Sequence, residues 1–189
     1  MKKFLFALLT VIFFVATAQA AQPVRIARLP IIFLSNVPDN QTCAELEIKI
    51  QRAIHIPLNG TLQLAEYLPP EDSARTLNDI YTKKSKLVDV IRPLAEKINA
   101  DIIVCPVLRQ YSQHESFFSS WNGETYIDSY VEAELIVFDR RNDVLTDKKA
   151  SQFYHDAYST AGTASYLSKI CFDKIIDATK LRKLIHDIR

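Results

Sequence analysis

Glycine is scarce in this 189-residue chain, which contains only Gly60, Gly123 and Gly162. Each of the three stands alone. The sequence therefore has no Gly-rich loop of the kind that holds phosphate groups, and no Gly-x-Ser-x-Gly elbow that presents a nucleophilic serine. It also has no low-complexity tract. Together these features exclude a phosphate-cradling loop, a serine-hydrolase elbow and a disordered, linker-like protein.

Cysteine is equally sparse, with Cys43, Cys105 and Cys171 far apart along the chain. No CxxC pair or other metal-type spacing is present, and no two of the four histidines are three or four residues apart. We therefore expect no metal and no cofactor. Each cysteine lies within an apolar pattern, which favours three small buried side chains. An exported location would also permit one disulfide among them.

An excess of one charge is missing as well. Without Lys2 and Lys3, the 23 basic residues of the chain become 21, against 22 acidic residues. Such a balance has no overall electrostatic signature of binding to nucleic acid or to an anionic membrane. We expect no nucleic-acid partner.

The first 20 residues have the three parts of a secretory signal peptide. Lys2 and Lys3 form a basic start, residues 4–16 are almost entirely apolar, and Ala18-Gln19-Ala20 is a small-x-small cleavage site. The apolar run is shorter than the roughly 20 residues that cross a bilayer comfortably. We therefore predict cleavage near Ala20.

The expected product is a single domain of residues 21–189, which is long enough for a proper core. Its first residue is Ala21 and not a lipid-accepting cysteine. The protein is then periplasmic or secreted, with no stable membrane insertion after cleavage. Retention of residues 1–20 as an uncleaved anchor is the alternative.

The first half of the mature chain reads as strands and helices in alternation. A strand over residues 24–33 is broken by Pro30, and Thr42 with Glu45 forms a capping box at the start of a helix. Asn59-Gly60 is a turn signal that suggests a short hairpin. A short helix is expected over residues 73–82. A longer helix over residues 85–99, with Ser85 as its cap, contains Pro93, which kinks it or costs a hydrogen bond. It precedes a strand over residues 100–108, whose residues 102–105 are continuously apolar. This order is typical of an α/β unit.

The second half changes to an antiparallel meander. Residues 111–119, 124–139 and 144–154 read as three strands, and Asn122-Gly123 is a strong hairpin signal between the first two. Alternation along the middle strand places Glu132 and Glu134 on a solvated face. A long helix from Gly162 to about residue 188 closes the chain. The predicted fold is an α/β (α+β) single domain, a mixed sheet with an antiparallel meander and helices packed on it.

Aromatic residues cluster around the predicted hairpin. The candidates for contact with another protein are Tyr111, Phe117, Phe118, Trp121 and Tyr126. Cross-strand aromatic pairing would explain this cluster as a structural feature. An exposed recognition patch is the functional interpretation, because Trp, Tyr and Phe dominate interface hot spots.

Two other classes of function remain open. A hydrolase site could assemble across the meander from His114, Asp128 and His155, although adjacent residues on a strand face opposite sides and give no local pair. A small-ligand-binding protein would use a pocket at the strand ends. No residue motif in the sequence favours catalysis, so we expect a protein that is not an enzyme.

The chain resembles a known superfamily over most of its mature length. Val24-Arg25-Ile26-Ala27-Arg28-Leu29-Pro30 is similar to the opening strand of the CsgG-type and TolB amino-terminal domain superfamily of bacterial envelope proteins. Leu94–Val107 and the strand ending in Asp139 fit its later elements, with Asn142 or Asp143 in place of a turn glycine. The resemblance implies an envelope protein that works by contacting other envelope proteins. Its motifs describe buried strands and turns, and they identify no site.

Overall fold

The computed structural model describes residues 22–82, 85–117 and 124–188, and within them six strands form one mixed sheet with helices on both faces. The strands are β1 (Val24–Arg28), β2 (Ile32–Phe33), β3 (Ala65–Leu68), β4 (Ile102–Phe117), β5 (Thr125–Asp139) and β6 (Val144–Ala157). The helices are α1 (Asn40–Ala53), α2 (Asn59–Leu62), α3 (Pro70–Ile80), α4 (Leu87–Lys97), α5 (Ala164–Ala178) and α6 (Leu181–His186), with a 3₁₀ turn at Thr160–Gly162.

The strand order is β3-β1-β4-β5-β6, and β2 pairs with β4 beyond the end of β1. Strand β1 is parallel to both β3 and β4, whereas β4, β5 and β6 form an antiparallel meander. The mixed sheet with an antiparallel meander is therefore confirmed. Since β3 has four residues and β6 has fourteen, the two edges of the sheet differ greatly in length.

Two prolines explain how β1 and β2 share one neighbour. Pro30 separates them, and β4 carries Pro106 between the segments that pair with each. The Val104 and Leu108 carbonyls accept hydrogen bonds from the Leu29 and Leu34 N–H groups. Backbone groups of residues two apart on a strand point to the same side, so those of Pro106 face the gap between β1 and β2. The missing N–H of proline therefore leaves no strand partner unsatisfied.

The part of the sheet that contains β1 and the first half of β4 is buried on both faces. Helices α1, α5 and α6 pack on one face in a core that includes Ile26, Val104 and Leu135. Helices α3 and α4 pack on the other, against Ile103 and Ile136. Residues 102–108 are continuously apolar because they contribute side chains to both cores in alternation.

The cysteines are unpaired in this fold. Cys105 lies in one core and Cys171 in the other, on opposite faces of the sheet. Burial raises the pKa of Cys105 to about 12 and that of Cys171 to about 11. Both therefore behave as small buried apolar residues, as expected, whereas Cys43 is half-buried.

Two helix ends differ from expectation. The cap of α1 is Asp39 and not Thr42, because the Asp39 carboxylate accepts from the Thr42 N–H at 2.9 Å. Ser85 does not cap α4, whose cap position is Lys86 with no side-chain hydrogen bond. Pro93 does lie inside α4, where its stripe of buried residues continues past it.

Three other elements also differ. The predicted hairpin at Asn59-Gly60 is the short helix α2. Strand β4 is one strand of 16 residues, with a bulge at Arg109 that keeps the alternation in register with β5. The closing helix is broken between α5 and α6 at Lys180, whose φ is 53°. No helix of the described segments is both long and apolar enough to cross a bilayer.

Candidate functional site

We call residues 110–117, 125–132 and 151–157 the distal half of the meander. It is covered by helices on one face only. Helix α5 and the 3₁₀ turn cover the face that holds the buried side chains of Ile127, Ser129 and Val131. The alternating positions of β5, from Tyr126 to Tyr130, are only half-buried. We call their side the open sheet face. It consists of Ser112, His114, Ser116, Tyr126, Asp128, Tyr130, Phe153 and His155.

The sheet register brings three predicted residues into one row. His114 lies opposite Asp128 on β5, and Asp128 lies opposite His155 on β6. His155 Nδ1 shares a hydrogen bond with the Asp128 carboxylate. This bond and the Asp128 charge raise the pKa of His155 above its ordinary value. Directly opposed side chains are about 4.5–5.5 Å apart at Cβ, so the row has the proximity that a shared site requires.

An aromatic pair lies one row closer to the core. Tyr130 is directly opposite Phe153, and the Phe153 ring stacks on His155 with centroids 6.3 Å apart and planes at 7°. Phe153 nevertheless stays 67% exposed. The open sheet face therefore combines aromatic surface with hydrogen-bonding groups. The sequence prediction missed Phe153, although its spacing of two residues from His155 on a strand indicates a shared face.

The predicted aromatic contact residues that the structure describes lie on both faces of the sheet. Tyr111 is on the covered side, where it packs against the core and burial raises its pKa. Phe117 also alternates to that side, but at the strand end it is 68% exposed. Tyr126 belongs to the open sheet face. Phe118 and Trp121 lie outside the described residues.

A charge network separates the open sheet face from the core. Glu134 is 3% exposed, and its carboxylate accepts from Arg109 Nη1 at 2.6 Å, with Lys149 Nζ at 3.4 Å. Glu132 pairs with Arg109 Nε at 3.1 Å. The expectation that both glutamates are solvated is therefore wrong for Glu134. The bulge at Arg109 places its guanidinium over this carboxylate, which alternation alone does not reveal.

The carboxyl groups of Glu134 and Asp147 lie within hydrogen-bond reach of each other. Burial acts to raise the pKa of Glu134, but the hydrogen bonds from Arg109 and Asp147 outweigh it and lower that pKa. Burial and the same bond to Glu134 raise the pKa of Asp147. The guanidinium and ammonium neighbours of Glu134 favour a structural role for this pair.

Cavities lined by described residues lie elsewhere on the molecule, and they include three of about 300 Å³ and one of about 220 Å³. One of the larger three opens at the carboxyl ends of β1 and β3, beside Arg28, His55 and Tyr67. It is the place where a small ligand at the strand ends would bind. Volumes near 300 Å³ are at the low end for ligand pockets. Within the described residues, no group of three or more His, Cys, Asp or Glu side chains is arranged to hold a metal ion.

No family model and no curated protein matches the chain. Among solved structures, it is similar to lipoprotein GNA1162 from Neisseria meningitidis, at 17% identity over 82% of this chain and 99% of that one, with a TM-score of 0.41. The hypothetical protein CT253 from Chlamydia trachomatis has 12% identity over 86% and 98%, with a TM-score of 0.47. PelC from Paraburkholderia phytofirmans has 12% identity over 86% and 89%, with a TM-score of 0.40. At these values the likenesses assign neither a family nor a role, and the similarity to the CsgG-type and TolB superfamily stays a resemblance.

Proposed function

We propose that this chain is an exported, non-catalytic protein of the bacterial cell envelope that binds another envelope protein through the open sheet face. The observation that supports it best is Phe153, two-thirds exposed on a sheet face that the described helices leave open. Its neighbours Tyr130 and His155 are also aromatic or hydrogen-bonding. Aromatic anchors of this kind supply most of the binding energy of protein interfaces.

The size of the surface indicates how a partner would contact it. Three strands and three rows of side chains present roughly 300 Å². A standard interface buries about 800 Å² on each partner. Strand β6 is the adjoining sheet edge, and its outer backbone groups have no strand partner among the described residues. A partner that also pairs with this edge would supply the missing area.

Two further features support an envelope location. Residues 1–20 have the pattern of an export signal. The segments at Val24–Pro30 and Leu94–Val107 resemble a superfamily of envelope proteins that act through protein contacts. Neither feature identifies the partner, so the experiment must capture the partner from a defined position on this chain.

Site-specific photo-crosslinking in cells that express the full chain tests the proposal. A photoreactive phenylalanine at position 153 is expected to give a discrete crosslinked adduct, since this ring would lie in the interface. The same probe at Tyr166, exposed by 46% on α5, is the matched control and should give none. Identical adducts at both positions, or none at position 153, would overturn the proposal.

The row of His114, Asp128 and His155 favours a second candidate, a periplasmic hydrolase. The row has a histidine hydrogen-bonded to a carboxylate, as a general base requires. A chromogenic ester assay on the purified protein tests it. Hydrolysis that is lost in both His155→Gln and Asp128→Asn would support an enzyme, and rates that match buffer alone would exclude this esterase activity.

A further inference from the structure

Helix α2 presents two leucines to solvent at the end of the molecule opposite the distal meander. Leu58 is 71% exposed and Leu62 is 55% exposed. They are one helical turn apart, since the Leu62 N–H donates to the Leu58 carbonyl at 3.0 Å. Both side chains are therefore exposed on the same short turn. Leu58 has a φ of 63°, a left-handed conformation that a leucine rarely adopts.

Hydrogen bonds on both sides hold this turn in place. The Asn59 side chain donates to the Ala65 carbonyl and accepts from the Ala65 N–H, both at 2.8 Å. The Tyr67 hydroxyl donates to the Ile54 carbonyl at 2.9 Å and accepts from the Ile56 N–H at 3.1 Å. The two leucines are therefore exposed on a fixed scaffold.

A cationic cleft of about 220 Å³ adjoins the turn. Its polar lining comes from Arg52 in the last turn of α1, from His55 just after that helix, and from Arg182 and His186 on α6, with no carboxylate among the lining residues. Arg182 has one exposed partner, Asp177, at 3.5 Å. Arg52 has no ion-pair partner among the described residues. The cleft is also lined by Pro57, the residue before Leu58, so cations and leucines share one surface.

We propose that this surface, made of Leu58, Leu62, Arg52 and Arg182, docks the protein on a membrane that contains anionic lipids. The leucines would enter the boundary between headgroups and acyl chains, and the guanidinium groups would bind headgroup phosphates. This is the arrangement that peripheral membrane proteins require, apolar side chains beside a basic patch. The near-neutral charge of the whole chain conceals it, because the fold gathers the basic side chains from two helices.

The position of the surface in the fold agrees with this role. The Val24 N–H donates to the Leu64 carbonyl, so the chain enters the sheet beside α2. Strand β4 extends away from it over 16 residues, about 50 Å. A molecule docked through α2 would hold its open sheet face away from the lipid.

Vesicle flotation tests the proposal with the chain from Ala21 onward, which contains both cores and lacks the apolar residues 4–16 that would bind vesicles by themselves. Vesicles of phosphatidylcholine alone are compared with vesicles that contain about 30% phosphatidylglycerol. We expect binding to the anionic vesicles only, weakened about tenfold in Leu58→Ser/Leu62→Ser and in Arg52→Glu/Arg182→Glu. All four side chains are exposed, so the unfolding temperature should not change.

Val37→Ser and Arg75→Glu are the matched controls, because both side chains are exposed elsewhere, by 64% and 78%. They should bind as the parent chain does. Equal binding by all variants would overturn the proposal, as would equal binding to both kinds of vesicle. Binding of inorganic phosphate in the cleft by a protein that binds no vesicles would instead indicate a site for a free anion. That result would also overturn the proposal.

Discussion

Replacing Arg109 with methionine is expected to lower the free energy of unfolding by about 2–3 kcal/mol at pH 7. The change removes the 2.6 Å hydrogen bond to Glu134, a carboxylate that is only 3% exposed. Removing one partner of a buried ion pair costs about 3–5 kcal/mol. Lys149 remains at 3.4 Å and the Arg109 side chain is itself 37% exposed, so we expect a smaller loss.

The loss should depend on pH. Hydrogen bonds, above all from Arg109, hold the pKa of Glu134 below its ordinary value despite burial. A carboxyl group with a lowered pKa stabilises the folded state above its unfolded-state pKa, and this contribution disappears as the pH falls through the folded-state pKa. The penalty of Arg109→Met should therefore have its full size above the ordinary glutamate pKa of about 4.3 and shrink as the pH falls below that value.

Urea unfolding followed by far-ultraviolet circular dichroism at several pH values measures this penalty. Arg75→Met is the control, since the Arg75–Asp72 pair is exposed and 3.8 Å long, and it should cost less than about 0.5 kcal/mol. A penalty for Arg109→Met below about 1 kcal/mol at pH 7, or one that does not shrink between about pH 5 and about pH 3, would refute this account of Glu134.

Three other substitutions test separate parts of the fold. Gly162→Ala should lower the free energy of unfolding by about 1–3 kcal/mol, because the added Cβ would lie 2.3 Å from Tyr154 Cε1. Adding Tyr154→Leu to this variant should recover part of the loss, and an unchanged urea midpoint in Gly162→Ala would contradict this packing. Asp128→Asn should lower the pKa of His155 toward its ordinary value, and an unaltered NMR titration of that ring would show that the hydrogen bond does not hold it. Phe172→Ala, which empties a fully buried site, should cost about 3–5 kcal/mol by calorimetry, and a loss under 1 kcal/mol would mean that the core collapses around it.

Local signals in the sequence predict much of the fold. Pro30 separates two strands, and Asn99 ends the helix before β4 with a φ of 51°. Asp143, one of two residues expected to replace a turn glycine, has a φ of 52°. These predictions succeed because turn chemistry and alternation depend on residues that are close together in the chain.

The candidate site could be predicted only in part. His114, Asp128 and His155 were chosen for their chemistry, and the antiparallel register does place them in one row. The aromatic candidates were grouped by proximity in sequence, and alternation separates Tyr111 from Tyr126. Proximity along a strand does not decide which face a residue occupies, because successive side chains point to opposite sides.

The sequence by itself determined the export signal pattern, the mixed α/β composition of the domain and the antiparallel meander, since each depends on composition or on short-range periodicity. Only the tertiary structure decided which half of the meander the helices leave open. It also decided that Glu134 is buried beneath Arg109, and that Arg52 and Arg182 meet beside Leu58. These features depend on packing between residues that are distant in the chain, and no local pattern contains that information.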